Sequence, residues 1–185
     1  KRPGGRRLTI ITNSGGPGVM TADAVAEYGL SLSDLGQGTV EKLDKVLPSH
    51  WSRGNPIDII GDADSQRYIN TLQNLASAKS DGILVILNPQ AMIDPFQVAK
   101  DICGPLQRQT VPVITSWMGG RDVEKGTHLL NEAGIPTYPT PEQAVKAFCY
   151  LYAYGKNLEL LQEIPPKIDH AQDFDRETVW QMRQD

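Results

Sequence analysis

Apolar positions along this chain follow two alternating rhythms. Short β-branched runs, the first of them Leu8-Thr9-Ile10-Ile11-Thr12, alternate with stretches in which apolar residues recur at helical spacing. The runs predict strands over 8–12, 30–32, 57–60, 82–87, 111–117 and 135–138. The intervening stretches predict helices over 19–28, 42–47 behind a Thr39 cap, 66–77 behind an Asp64 or Ser65 cap, 95–106, 123–132 and 141–154. Pro95 and Pro141 suit the first helical position, Pro48 ends the second helix and Gly134 closes the fifth. Gly82-Ile83-Leu84-Val85-Ile86-Leu87 carries no polar side chain, so both of its faces must be covered, as in a central parallel strand. The order of elements predicts an α/β fold, a flavodoxin-like doubly wound parallel sheet in three α/β/α layers. That domain is expected over 8–155, with 1–7 as a leading segment. Beyond Lys156 the pattern changes: Pro165-Pro166, mixed charges and a weak helical stretch ending in Trp180 and Met182 predict a linker toward another region.

Composition narrows the classes of function. Hydrophobic residues at 39% and charged residues at 22% are those of a folded globular chain, which excludes general disorder. Net charge is −4 and the basic residues cluster nowhere except Lys1, Arg2, Arg6 and Arg7, so no stripe suited to nucleic acid is present. The apolar runs are far too short for a bilayer and no charged-then-apolar leader precedes the first strand, which gives the expectation of a cytoplasmic protein without a membrane partner. Cys103 and Cys149 lack a Cys-x-x-Cys spacing and are expected to be buried structural thiols.

Candidate chemistry concentrates in the turns that follow the strands, because ligands of open parallel sheets bind at the strands' carboxyl ends. Asn13-Ser14-Gly15-Gly16-Pro17-Gly18 leads from the first strand directly into a helix, whose first amides lack intrahelical acceptors and carry partial positive charge. Ser14, Gly15, Gly16, Pro17 and Gly18 are therefore the candidate phosphate-binding residues, the plain alternative being a tight strand-to-helix turn. The lysine of a Walker A loop is missing, and the dinucleotide fingerprint is incomplete, with Thr21 at its third small position. Asp58, Asp62 and Asp64 lie among turn-forming residues without a histidine in the run. They are expected to close turns and cap a helix, and no metal site is assigned. Asp58 together with Gly119 and Gly120, after the fifth strand, are expected to line the crevice. His50, His128 and His170 fall in a loop, a helix and the tail, where no catalytic partner is evident.

Four segments in order, Thr12-Asn13-Ser14-Gly15-Gly16-Pro17-Gly18, Gly54-Asn55-Pro56-Ile57-Asp58-Ile59-Ile60-Gly61-Asp62-Ala63, Trp117-Met118-Gly119-Gly120 and Ala133-Gly134-Ile135-Pro136-Thr137-Tyr138, resemble NDP-forming acyl-CoA synthetases over about 7–154. The corresponding part of that family is its second flavodoxin-like domain, similar to the carboxy-terminal domain of the succinyl-CoA synthetase β subunit. The resemblance implies interconversion of acid, CoA and ATP with acyl-CoA, ADP and phosphate through acyl phosphate and a phosphohistidine. The histidine belongs to a preceding domain, and this domain contributes a helix amino end facing the phosphate. It further implies substrate contacts at Asn13 and at Asn88, Pro89, Gln90 and Ala91, although Pro89-Gln90 stand where the succinate enzyme has glycines. CoA, ATP/ADP and Mg²⁺ are implied for the full-length protein and not for this chain, which is expected to be inactive alone. CoA-binding, phosphohistidine and ATP-grasp domains of the same polypeptide are the implied partners, with a small carboxylic acid or phosphate as ligand. The same domain occurs in lysine acetyltransferases fused to a GNAT domain, so a regulatory synthetase-like role is the alternative.

Overall fold

A computed structural model of the chain describes residues 1–75 and 79–162. Its elements run β1 (Arg7–Thr12), α1 (Gly15–Glu27), β2 (Ser31–Leu32), α2 (Gln37–Asp44), β3 (Ile57–Asp58), α3 (Ser65–Asn74), β4 (Gly82–Leu87), α4 (Pro95–Gln107), β5 (Val113–Trp117), α5 (Glu124–Glu132), β6 (Thr137–Tyr138) and α6 (Pro141–Gln162). The strands form one parallel sheet in the order β2-β1-β4-β5-β6, with β3 also paired to β1. Chain direction across the sheet reverses between β1 and β4, which is the switch point where doubly wound sheets open a ligand crevice.

Residue alternation divides the core into two layers. Leu8 and Ile10 of β1, Leu84 and Ile86 of β4 and Ile114 of β5 face α1 and α6, where they meet Val25, Val145 and Phe148. Ile11, Ile83, Val85 and Leu87 face the opposite side and meet Leu43, Tyr68, Leu72, Ile102 and Leu130, contributed by α2 to α5. All six residues of β4 are buried, as its uninterrupted apolar run predicts. At Gly82 an added Cβ would overlap the Phe148 ring, so α6 comes this close to the sheet only over glycine.

Several boundaries differ from the pattern-based expectation. Helix α1 begins at Gly15, not at 19, because the glycines are its first turn and not a loop before it. Helix α2 starts at Gln37 behind Gly36, whose φ of 68° makes it the cap in place of Thr39. The third strand stops at Asp58 because Ile60 turns out of the sheet at φ 72°, a costly conformation for a β-branched residue. A turn of 3-10 helix, Gly120–Val123, precedes α5, and α6 continues two turns past 154 to Gln162. Cys103 and Cys149 are half-buried rather than buried, each packed at the margin of a core layer. Ser77, the expected linker from 163 onward with Pro165-Pro166, Trp180 and Met182, and His170 lie outside the described residues.

The far edge of β1 is assembled from two strands and a side chain. β2 pairs with Arg7 and Leu8 and β3 with Ile11 and Thr12, which leaves a gap between them. Asn55 fills it: its Oδ1 accepts from the Ile10 N–H at 2.9 Å, while its Nδ2 donates to the carbonyls of Leu8 (2.8 Å) and Ser33 (3.0 Å). One carboxamide thus stands in for a peptide group of the missing ladder.

Candidate functional site at the carboxyl edge of the sheet

The ends of β1 and β4 are tied together at the switch point. Asn13 is 1% exposed, and its Oδ1 accepts from the Asn88 N–H while its Nδ2 donates to the Asn88 carbonyl, both at 2.8 Å. The side chain expected to touch a substrate is therefore committed to fixing the β4 turn. Thr12 then sets Ser14: its hydroxyl accepts from the Ser14 N–H at 3.1 Å and donates to the Ser14 carbonyl at 2.9 Å. Ser14 occupies the cap position of α1 in an extended conformation, yet its hydroxyl makes no capping bond. Instead, Ser14 Oγ receives a 3.4 Å hydrogen bond from Asn88 Nδ2.

The glycines of the turn have different duties. Gly18 lies against the Thr12 methyl, with 3.1 Å left for an added Cβ, and its N–H is taken by the Ser14 carbonyl at 3.2 Å. Pro17 has no N–H. These two shape the helix start and offer a ligand no donor, which narrows the phosphate-binding set expected from the sequence. Gly15 and Gly16 are exposed, and their amides have no acceptor among the described residues. A Cβ on Gly15 would stand 3.3 Å from Asp58 Oδ2, whereas one on Gly16 would meet nothing within 4 Å. Glycine in a helix costs about 0.5–1 kcal/mol relative to alanine. No contact within the described chain calls for it at position 16.

The other expected residues surround this turn unequally. Asp58 borders it, one carboxylate oxygen accepting from the Ile60 N–H at 2.9 Å. Gln90 reaches across to the β3 turn, its side chain 3.8 Å from a Cβ placed on Gly61. Pro89 packs so tightly on Gly119 (φ 138°) that an added Cβ would sit 2.6 Å from its Cγ, so the β4 and β5 turns abut at this point, and beside the contact Pro89, Gln90, Ala91 and Asp122 line a hollow of ≈ 360 Å³. Ala91 and Gly120 are exposed beyond that contact. Asp64 caps α3 through the Arg67 N–H at 2.9 Å, and Asp62 pairs with the Arg67 guanidinium, whose hydrogen bonds hold that carboxyl below its ordinary range. Among the described residues no three His, Cys, Asp or Glu side chains converge as metal ligands. His50 and His128 are exposed away from the turn.

The turn is convex. Other hollows among the described residues include one of ≈ 450 Å³ beside Trp117, Gly120 and Pro139 and one of ≈ 330 Å³ at the opposite end of the sheet around Leu106, Pro112 and Ile135. An anion on the Gly15 and Gly16 amides would be held from one side only, and Val19 (63% exposed) and Met20 (49%) leave apolar surface next to it. No described helix is long and apolar enough to cross a membrane.

Comparison with known proteins finds relatives over most of the chain. The chain is 37% identical over 150 residues to acetate–CoA ligase (ADP-forming) I of Archaeoglobus fulgidus, covering 80% of this chain and 21% of that protein. It is 35% identical over 161 residues to the α subunit of acetate–CoA ligase (ADP-forming) I of Pyrococcus furiosus, covering 83% and 34% respectively. The solved apo structure of dinucleotide-forming acetyl-coenzyme A synthetase 1 of Ca. Korarchaeum cryptofilum superposes with a TM-score of 0.79 at 31% identity, over 89% of this chain and 37% of that one. The chain therefore spans between about a fifth and somewhat over a third of these relatives. Residues 8–162, which include every strand but the first residue of β1 and all six helices, match the Ligase-CoA domain model, and the chain belongs to that family.

Proposed function

We propose that the chain is a domain of an NDP-forming acyl-CoA synthetase and that the amino end of α1 stabilises a phosphoryl group as it passes between acid and phosphohistidine. The observation that carries this reading is the pair of unused amides at Gly15 and Gly16, exposed on a helix whose own cap residue leaves them vacant. Such amides carry about half a positive charge with the helix behind them. Because they are fixed before the anion arrives, they need no reorganisation during transfer. The Ser14 hydroxyl adds a third donor, its proton having no described acceptor. Asn13 acts by positioning, and Gln90 with Ala91 form the rim nearest an incoming acid. The exposed turn and the adjoining Val19 and Met20 favour closure by another domain of the full-length protein, in keeping with relatives of which this chain matches only 21% and 34%. ATP, Mg²⁺ and CoA, which the family resemblance implies for the full-length protein, are assigned in this reading to those other domains. In the full-length protein, Gly16→Leu should cut phosphoenzyme formation by at least about tenfold, since the side chain displaces the anion. Its own Cβ meets open space, so thermal stability should hold or rise. Unchanged phosphorylation would overturn the proposal.

A further inference from the structure

We infer that Asn88 is a positioning residue that keeps the amino end of α1 open by holding the Ser14 hydroxyl away from its own helix. The inference rests on the reading of that end as an anion site, and it supplies what stops the helix from satisfying itself. A serine cap ordinarily turns its Oγ onto the N–H two or three residues ahead. Three residues ahead of Ser14 is Pro17, which has no N–H, so the only amide Ser14 can cap is that of Gly16. Gly16 is also the amide left for a ligand. Self-capping and anion binding are competing uses of one hydrogen.

In the structure the competition is decided by a chain of contacts from β4. Asn13 grips both backbone groups of Asn88, the Asn88 side chain donates to Ser14 Oγ at 3.4 Å, and Thr12 fixes the Ser14 backbone at φ −150° and ψ 126°. No capping bond forms. The bond to Ser14 is the only hydrogen bond of the Asn88 side chain among the described residues, so its truncation leaves the β1–β4 tie through the Asn88 backbone in place.

Hydrogen exchange at the Gly16 amide of the ¹⁵N-labelled chain tests this, together with inorganic phosphate titrated against the same resonance. With Asn88→Ala the freed hydroxyl should cap the helix and slow Gly16 exchange about fivefold, the usual worth of a serine cap. Phosphate affinity should fall by a similar factor. Adding Ser14→Ala should return exchange to its original rate, while Ser14→Ala alone should leave Gly16 unchanged. Gly16 exchange that is indifferent to Asn88→Ala, or that stays slow in the double variant, or that accelerates in Ser14→Ala alone, overturns the inference. If exchange follows the expected pattern and phosphate perturbs Gly16 in none of the proteins, the positioning role stands and it is the anion-site reading that fails.

Discussion

Removing the Asn55 carboxamide should unpick the composite edge of β1. In Asn55→Ala the Ile10 N–H loses its acceptor in a position walled in by the two short strands, and an unsatisfied backbone donor costs about 1–3 kcal/mol. The Leu8 carbonyl keeps a second partner, the Ser33 N–H at 3.0 Å, so its loss is smaller. The Ser33 carbonyl and hydroxyl each lose a contact near 3 Å. Taking ~2 kcal/mol for the stranded amide and ~1 kcal/mol for the other bonds gives a destabilisation of about 3 kcal/mol. For a chain of this size that corresponds to a fall of roughly 9 °C in Tm. Urea unfolding followed by the fluorescence of buried Trp51 and Trp117 measures it, with m unchanged if only the edge is affected. Asn55→Asp should be no milder, because it keeps the acceptor for Ile10 but sets a carboxylate oxygen against two carbonyls. A loss below 1 kcal/mol at constant m would show that the carboxamide does not replace the missing ladder.

Gly82→Ala should cost about 1–3 kcal/mol by overpacking against Phe148, and Phe148→Leu in the same protein should recover part of it on thermal melting. The Arg7 guanidinium hydrogen-bonded to Asp81 holds that carboxyl below its ordinary range. A depressed folded-state value contributes stability above the unfolded value of about 3.9 and loses it as pH falls through the folded value, so Asp81→Asn should flatten the decline in stability below about pH 4 in acid titrations followed by circular dichroism. Tyr68→Phe deletes a 2.9 Å bond to the Ile86 carbonyl and should cost about 1 kcal/mol. Burial pushes the Tyr68 phenol far up, so alkaline titration at 295 nm should count this tyrosine only on unfolding. Asp58→Asn withdraws a negative charge from beside Gly15 and should tighten phosphate binding about threefold to tenfold, as read by calorimetry.

Much of the architecture is legible because it is local. The apolar run of β4 and the Pro95 start of α4 announce themselves within six residues, and the order of elements dictates the parallel sheet. The glycine turn was identifiable by composition, but its division of labour was not: whether position 16 or 18 is needed for packing depends on Thr12 and Pro56 lying against one and not the other. Asn13 and Asn88 are partners 75 residues apart, and Asn55 reaches back 45 residues to Ile10. Side-chain to backbone bonds of that span leave no periodicity to read. Ile60 misled for a related reason, since its β-branched side chain suggests a strand while the backbone turns out of the sheet to present its N–H to Asp58.

The two margins of the sheet share a property that bears on how the chain behaves in crowded solution. One ends in β6, two residues long, and the other is split between β2 and β3, of two residues each, with a side chain plugging the seam. A foreign strand seeking backbone partners finds no continuous row of them on either flank, so fibril-like growth by edge-on pairing lacks a template in the native state.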